Sequence, residues 1–145
     1  RARAGVTRRS IKSNLIMYEK LLAVQKEIGA IKKDSENPFF KSSYADINAI
    51  LAVVKPILNK HGIVLMQGLT SLDGKIGLMT TLMGEGGEEV SSVCPLPEFT
   101  DPQKAGSAIT YFRRYSLVSL LALETEADDD GNGASGKGVT NNFEI

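Results

Sequence analysis

Polar side chains at helical spacing between Gln103 and Arg114 are the residues of this sequence best suited to bind a charged polymer. At about 100° per residue, one side of a helix would carry an amide, two hydroxyls and a guanidinium, from Gln103, Ser107, Thr110 and Arg114. Such groups can each donate a hydrogen bond to a phosphate oxygen without reading a base. The pattern therefore favours contact with the sugar-phosphate backbone of a nucleic acid.

Three neighbours extend this polar surface. Lys104 adds a second cation near the helix start, Arg113 projects between the polar and apolar faces, and Tyr111 borders the polar face. Tyr111 could stack on a base or pack against the protein. A second interpretation stays open, in which Arg113 and Arg114 form salt bridges with the acidic residues 128–130. The opposite face of the helix carries the apolar residues expected to anchor it, Ala105, Ala108, Ile109 and Phe112.

A second candidate cluster lies at residues 37–44, where aromatic, hydroxyl and basic side chains alternate. Aromatic residues interleaved with a base are typical of single-strand contacts. Phe39 and Phe40 could instead fix this loop to the core, next to a helix cap at Ser43 or a neighbour. Lys41 and Tyr44 are the candidates for contact.

No catalytic constellation is visible, and we expect no cofactor and no metal. His61 is the only histidine and is expected to cap a helix end, and Cys94 is the only cysteine. Residues 131–138 approach a phosphate-binding loop but have glycine where a serine or threonine must bind the metal. Residues 128–133 match half of a calcium loop, yet Val139 stands where the bidentate glutamate is needed.

The length and composition of the chain fit one domain. The chain has 145 residues, 42% of them hydrophobic, with 17 basic and 17 acidic side chains. A lone cysteine and the lack of a long apolar run favour a reducing, cytoplasmic setting. Residues 1–16 are expected to be a basic arm or a vector-derived tail, residues 17–127 the domain, and residues 128–145 a flexible acidic and glycine-rich tail. This charge asymmetry indicates DNA contact, head-to-tail docking of subunits, or solvated ends.

Apolar periodicity predicts the helices. A helix is expected over residues 17–33, and a second over residues 44–61, where Pro56 should kink the helix or break it near Val53. Asp101 and Pro102 are typical of a helix start, so a long third helix should run to about residue 123.

Between the second and third helices, the spacing of apolar residues changes from the helical period to the alternation typical of strands. Residues 63–72, 75–83 and 90–94 predict a three-stranded antiparallel meander, with a hairpin turn at Asp73-Gly74. The fold class is therefore α+β, with two N-terminal helices, a meander and a long C-terminal helix. One sheet face carries Ile76, Leu78, Thr80 and Leu82 toward the helices. The other face carries Lys75, Gly77, Met79, Thr81 and Met83. These side chains are too polar for a core and too apolar to be left in water, so a partner such as another subunit should cover this face.

Residues 103–123, followed by the acidic stretch 124–132, resemble the signature of the ERF (essential recombination function) family of phage and prophage single-strand annealing proteins. Residues 37–44 and 55–62 also resemble the N-terminal half of that family. Together the similar segments span roughly residues 17–132. Phe112 departs from the motif, in which a smaller residue is commoner.

The resemblance implies a single-stranded DNA-binding protein that promotes ATP-independent annealing of complementary strands in homologous recombination, without being an enzyme. It implies a β-β-β-α core, a homo-oligomer forming a ring or a helical filament, and a bacterial host cytoplasm as its location. A host single-strand-binding protein is a further candidate partner, and no membrane is expected. Arg113 and Arg114 would line the groove for the DNA backbone, with Lys41 and the hydroxyls as accessories. An oligomeric scaffold without DNA affinity and a metal-dependent nuclease are the alternatives.

Overall fold

Helices and an antiparallel sheet make this an α+β fold, as the sequence predicts. The computed structural model describes residues 8–32 and 45–125. Two helices precede the sheet and a third follows it. In chain order the elements are α1 (Arg8–Glu27), α2 (Ile47–Lys60), β1 (Ile63–Leu72), β2 (Lys75–Gly84), β3 (Glu89–Pro95) and α3 (Pro102–Leu121).

The first helix differs from its prediction at both ends. It begins at Arg8 instead of residue 17 and ends at Glu27 instead of residue 33. No glycine or proline interrupts this stretch, so backbone propensity sustains the helix where the apolar pattern alone does not. Its first turns bury little, and Ile11 and Leu15 are exposed. Apolar periodicity detects only the part of a helix that packs, which here begins at Met17.

The second helix is continuous through Pro56, so of the two predicted outcomes, a kink or a break near Val53, the break does not occur. Val54 and Leu58, on either side of the proline, are fully buried. Their packing outweighs the hydrogen bond that proline cannot donate. The helix is capped by Asp46, whose side chain accepts a hydrogen bond of 2.8 Å from the backbone N–H of Ala49.

The three strands form a meander in the order β1-β2-β3. Asp73 and Gly74 connect the first two strands with positive φ angles of 51° and 77°. Two successive positive φ angles define the tight hairpin turn whose twist matches that of the strands, and this confirms the turn predicted there. The register places Leu65 opposite Leu82 and Gln67 opposite Thr80 on the face that packs against the helices.

The third helix covers this inner face. Asp101 caps it by accepting a hydrogen bond of 2.9 Å from the N–H of Gln103, and Pro102 occupies the first turn, as predicted. Leu117 is fully buried and packs in the same core cluster as Ile63 and Leu82. The helix is thereby held against the sheet, with one side left to solvent.

The outer face of the sheet is more apolar than the β2 pattern alone indicates. The register places Val93 of β3 opposite Met79, and it adds Val64 and Met66 of β1 opposite Met83 and Thr81 on the same face. Val64, Met66, Met79 and Val93 are 38–55% exposed. We call them the outer sheet patch. No helix of the described residues covers it.

The end of the first described range meets the end of the second. The N–H of Ile31 donates a hydrogen bond of 2.8 Å to the carbonyl of Glu124, and Ile31 forms a parallel bridge with Thr125. The segment after α3 thus closes over the end of α1.

Candidate nucleic-acid interface

The N-terminal half of α3 presents most of the predicted contact residues to solvent. Gln103, Lys104, Ser107, Thr110 and Tyr111 are all exposed. The Thr110 hydroxyl donates a hydrogen bond of 3.2 Å to the carbonyl of Gly106, one turn earlier. Its proton is therefore engaged within the helix, and Thr110 is a weaker phosphate donor than its position indicates.

Arg114 is turned away from this exposed surface. Its Nε donates a hydrogen bond of 2.8 Å to the carbonyl of Ala45, and the side chain is half-buried. Ala45 itself is fully buried and directly precedes the cap of α2. The guanidinium thus links the middle of α3 to the start of α2, a structural contact that helical spacing does not reveal.

Two predicted contact residues, Lys41 and Tyr44, lie outside the described residues. Tyr44 is the direct sequence neighbour of Ala45, so the candidate cluster of residues 37–44 ends where Arg114 binds the backbone. The acidic residues 128–130, the alternative partners of Arg113 and Arg114, also lie outside the described ranges.

Arg113 is half-buried, and its backbone carbonyl accepts a hydrogen bond from the sheet. Gln67 of β1 donates hydrogen bonds of 3.0 Å to the carbonyl of Arg113 and to the hydroxyl of Thr80. Gln67 thereby connects α3 to two strands of the sheet. Sequence reasoning missed this residue, although an amide alternating with Ile63 and Leu65 on a core-facing strand was a usable signal.

Tyr115, which the sequence analysis did not single out, joins Tyr111 on the exposed side. The two rings stack with a centroid distance of 5.6 Å and an interplanar angle of 22°. They are 52% and 53% exposed. Phe112, half-buried, contacts Tyr111 edge-to-face with centroids 5.3 Å apart. The spacing of four residues between the tyrosines was the usable sequence signal.

The exposed side of α3 therefore differs in its second half from the polar side predicted for Gln103, Ser107, Thr110 and Arg114. Arg114 is half-buried, so the end of that side lies against the protein. Solvent instead meets a line of side chains close together in angle around the helix axis. We call this line the α3 track; it consists of Lys104, Ser107, Tyr111 and Tyr115.

Three basic side chains elsewhere in the described residues, Lys20, Lys60 and His61, contact carboxylates. Glu27 contacts both Lys60 at 2.9 Å and the Nε2 of His61 at 2.8 Å, so His61 pairs with a carboxylate instead of capping helix carbonyls through its ring. The Lys60 hydrogen bond is the main cause that lowers the pKa of Glu27. Lys20 pairs with Glu88. None of the ion pairs in the described part of the chain involves Lys104 or Arg113.

Other possible sites are poorly suited to a polyanion. An apolar groove of about 400 Å³ lies between α1 and the C-terminal end of α3, lined among others by Leu22, Val90 and Leu123. Within the described residues, no three acidic, histidine or cysteine side chains come together as a metal site. No helix in residues 8–32 or 45–125 is long and apolar enough to cross a bilayer.

Comparison with known families agrees with the signature in α3. The family model of the ERF superfamily matches residues 17–144, which is most of the chain. This protein therefore belongs to the ERF superfamily. Searches of curated proteins and of solved structures found no significant match.

Proposed function

We propose that this protein binds single-stranded DNA and promotes ATP-independent annealing of complementary strands during homologous recombination. The observation that carries the proposal is the composition of α3. All 20 residues of this helix lack a carboxylate, and three of them are cationic. Its exposed side adds an amide, hydroxyls and aromatic rings. Such a surface attracts a phosphate backbone and offers no repulsion to it.

Some of the proposed residues contact DNA, and others hold α3 in position. Lys104, Gln103 and Ser107 are the exposed donors for phosphate oxygens, and Arg113 adds a half-buried cation with no carboxylate partner in the described chain. Arg114 positions α3 against α2 through its hydrogen bond to the carbonyl of Ala45, and it stays in the proposed DNA-binding set as the resemblance implies. Thr110, Tyr111, Lys41 and Tyr44 complete the proposed DNA-binding set.

Binding to the sugar-phosphate backbone of DNA is sufficient to promote annealing. Two complementary strands repel each other through their phosphates, and protein cations in place of condensed counterions reduce this repulsion. Because the proposed polar contacts end at the phosphates, the hydrogen-bonding edges of the bases remain free to pair. The proposed activity depends on the sum of weak contacts along the strand and needs no nucleotide hydrolysis. It is not an enzymatic step.

Self-association belongs to the same proposal. The outer sheet patch presents Val64, Met66, Met79 and Val93 to solvent on an uncovered face. Adjacent exposed apolar side chains mark interaction surfaces. A second copy covering this patch would begin a ring or helical filament and place several α3 helices along one strand.

We place this assembly in the cytoplasm of a bacterial host and propose that a phage or prophage encodes the protein. A host single-strand-binding protein is a further proposed partner.

The test measures binding and annealing together. Fluorescently labelled oligothymidylate is titrated with the wild type and with Lys104→Ala, Arg113→Ala and the double variant, at several salt concentrations. We expect weaker binding and slower annealing of labelled complementary strands. The slope of log affinity against log salt should become shallower by about 0.7 for each phosphate of a single strand that the variant no longer neutralises.

The matched control is Lys26→Ala, an exposed cation at the end of α1. It should leave both the affinity and the salt slope unchanged. Salt-independent or absent binding by the wild type would contradict the proposed function. Magnesium-dependent strand cleavage that grows with time would favour a nuclease instead.

The competing function is an oligomeric scaffold without DNA affinity. The equal numbers of acidic and basic residues favour it, because a neutral protein has no overall attraction for a polyanion. A wild-type protein that self-associates and binds no oligonucleotide at low salt would establish this alternative.

A further inference from the structure

We propose that Tyr111 and Tyr115 form a stacking platform for an unpaired nucleobase, through which the protein distinguishes single strands from duplex. This inference rests on the proposed function and deepens it. It adds a base-dependent contact, and a residue outside the predicted site, to a surface otherwise suited to phosphates.

The geometry of the pair is already that of a stack. The two rings lie 5.6 Å apart with 22° between their planes, and the edge-to-face contact with Phe112 steadies Tyr111 from the core side. A base that joins the pair therefore meets ordered rings, so little side-chain freedom is lost on binding. Preorganised aromatic faces are the feature that single-strand binding proteins use to hold bases.

Exposure of the rings argues against a purely structural role. Each tyrosine keeps more than half of its surface in solvent, and neither hydroxyl has a hydrogen-bond partner within the described residues. A tyrosine that stabilises a core is normally buried along its ring with its hydroxyl bonded. Here more than half of each side chain, including ring surface, is open to a ligand.

The tyrosine pair lies on the same side of α3 as the cation of Lys104. Lys104 lies seven residues before Tyr111 on the same side of α3, about 10 Å along the helix axis. A strand lying along the α3 track can therefore place a phosphate at Lys104 and a base on the tyrosine pair. Every base has a π face, so this contact adds affinity without a strong sequence preference.

The same contact explains how the two forms of DNA would be told apart. Within a duplex, neighbouring base pairs cover both faces of each base, and no face remains for the tyrosines. A base on the platform must therefore be unpaired or splayed from its strand. When pairing is complete, the base leaves the platform and the protein holds the duplex through phosphates alone, which favours release of the annealed product.

The experiment compares Tyr111→Leu/Tyr115→Leu with Tyr111→Phe/Tyr115→Phe. The probes are an oligothymidylate, an abasic oligonucleotide with the same number of phosphates, and a duplex. We expect the wild type to prefer oligothymidylate over the abasic strand. The leucine variant should lose roughly tenfold in affinity for oligothymidylate and nothing for the abasic strand, whereas the phenylalanine variant should keep the wild-type preference.

Two controls make the result specific. Tyr18→Leu removes another exposed tyrosine, on α1, and should change no affinity. The chain contains no tryptophan, so intrinsic emission reports tyrosine alone, and oligothymidylate should quench less of it in the leucine variant.

Equal losses on oligothymidylate and abasic DNA, or a phenylalanine variant as weak as the leucine variant, would overturn the platform. Wild-type binding that depends on salt but not on bases would also overturn it, while leaving the proposed annealing function in place. Failure of the wild type to bind any of the three probes would reject both.

Discussion

Two adjacent arginines of α3 have different surroundings. Arg113 has its carbonyl held by Gln67 and no carboxylate partner in the described chain, whereas Arg114 binds the carbonyl of Ala45, 69 residues away in sequence. A pair of basic residues in a motif is easily treated as one unit. The structure separates a candidate DNA contact from a residue that fixes the position of the helix.

This separation predicts a loss of stability at Arg114. In Arg114→Ala the buried carbonyl of Ala45 loses a charged donor, and we expect the free energy of unfolding to fall by about 1.5–3 kcal/mol. Urea denaturation followed by circular dichroism measures this change. Lys55→Ala, an exposed cation on α2, should stay within about 0.5 kcal/mol of the wild type. Equal stability of the two variants would show that the Arg114 contact is unimportant for folding.

Residue types at helical spacing identified most of the exposed candidates on α3, including Gln103, Lys104, Ser107 and Tyr111. They could not show that Arg114 turns inward, because spacing gives a direction around the helix axis and not what lies opposite. That direction leads to the start of α2, which is distant in sequence. Tyr115 was missed because the apolar residues that follow it, Leu117, Val118, Leu120 and Leu121, indicate a buried second half of the helix.

At the scale of elements, α1 is fixed to the turn between β2 and β3 by a shielded ion pair. The side chains of Lys20 and Glu88 are only 17% and 3% exposed. The Glu88 carboxylate lies so close to Gly84 that a Cβ there would come within 2.0 Å of it. Glycine at this position therefore makes room for the carboxylate that receives Lys20.

The pair predicts a dependence of stability on pH. The Lys20 hydrogen bond is the main cause that lowers the pKa of Glu88 below its usual value of 4.5. A carboxylate whose pKa is lowered in the folded state stabilises the fold above pH 4.5, and this contribution is lost as the pH falls through the lowered pKa. The free energy of unfolding should therefore decrease on acidification.

Urea titrations between pH 7 and pH 3 measure this effect, with Glu88→Gln as the variant. We expect a shallower acid slope in the variant, with a remainder from Glu27, whose pKa is also lowered. An identical acid slope in the variant and the wild type would mean that the Lys20 pair contributes nothing to the pH dependence.

The elements themselves were largely predictable from local chemistry. The turn at Asp73-Gly74, the cap at Asp101 and the meander all follow from short-range preferences. The start of α1 and the continuity of α2 through Pro56 were not predictable in this way, because they depend on propensity and tertiary packing instead of apolar periodicity. The salt bridge between α1 and the β2–β3 turn joins residues too distant in sequence to be paired by pattern.

For the whole molecule, the outer sheet patch is the feature that a single chain leaves unexplained. Replacing Val64 and Met79 together by lysine should disrupt the proposed self-association, because two charges cannot be buried without partners. Native mass spectrometry should show a smaller assembly with unchanged secondary structure. Val53→Lys, at an exposed apolar position on α2, is the matched control and should leave the assembly unchanged. An assembly of unchanged size in the double variant would place the subunit contact elsewhere.

The contact of Ile31 with Glu124 and Thr125 also has a consequence during synthesis. The partners of Ile31 are translated last among the described residues, so the end of α1 cannot be closed off until nearly the whole domain has left the ribosome. Local elements can form earlier, because their contacts are short in sequence, whereas this contact joins residues 93 positions apart and requires closure of a long loop. The apolar groove beside α1 is itself lined by Leu123 and Glu124, so it is completed only when translation has passed these residues. Formation of the groove is therefore coupled to synthesis of the last described residues.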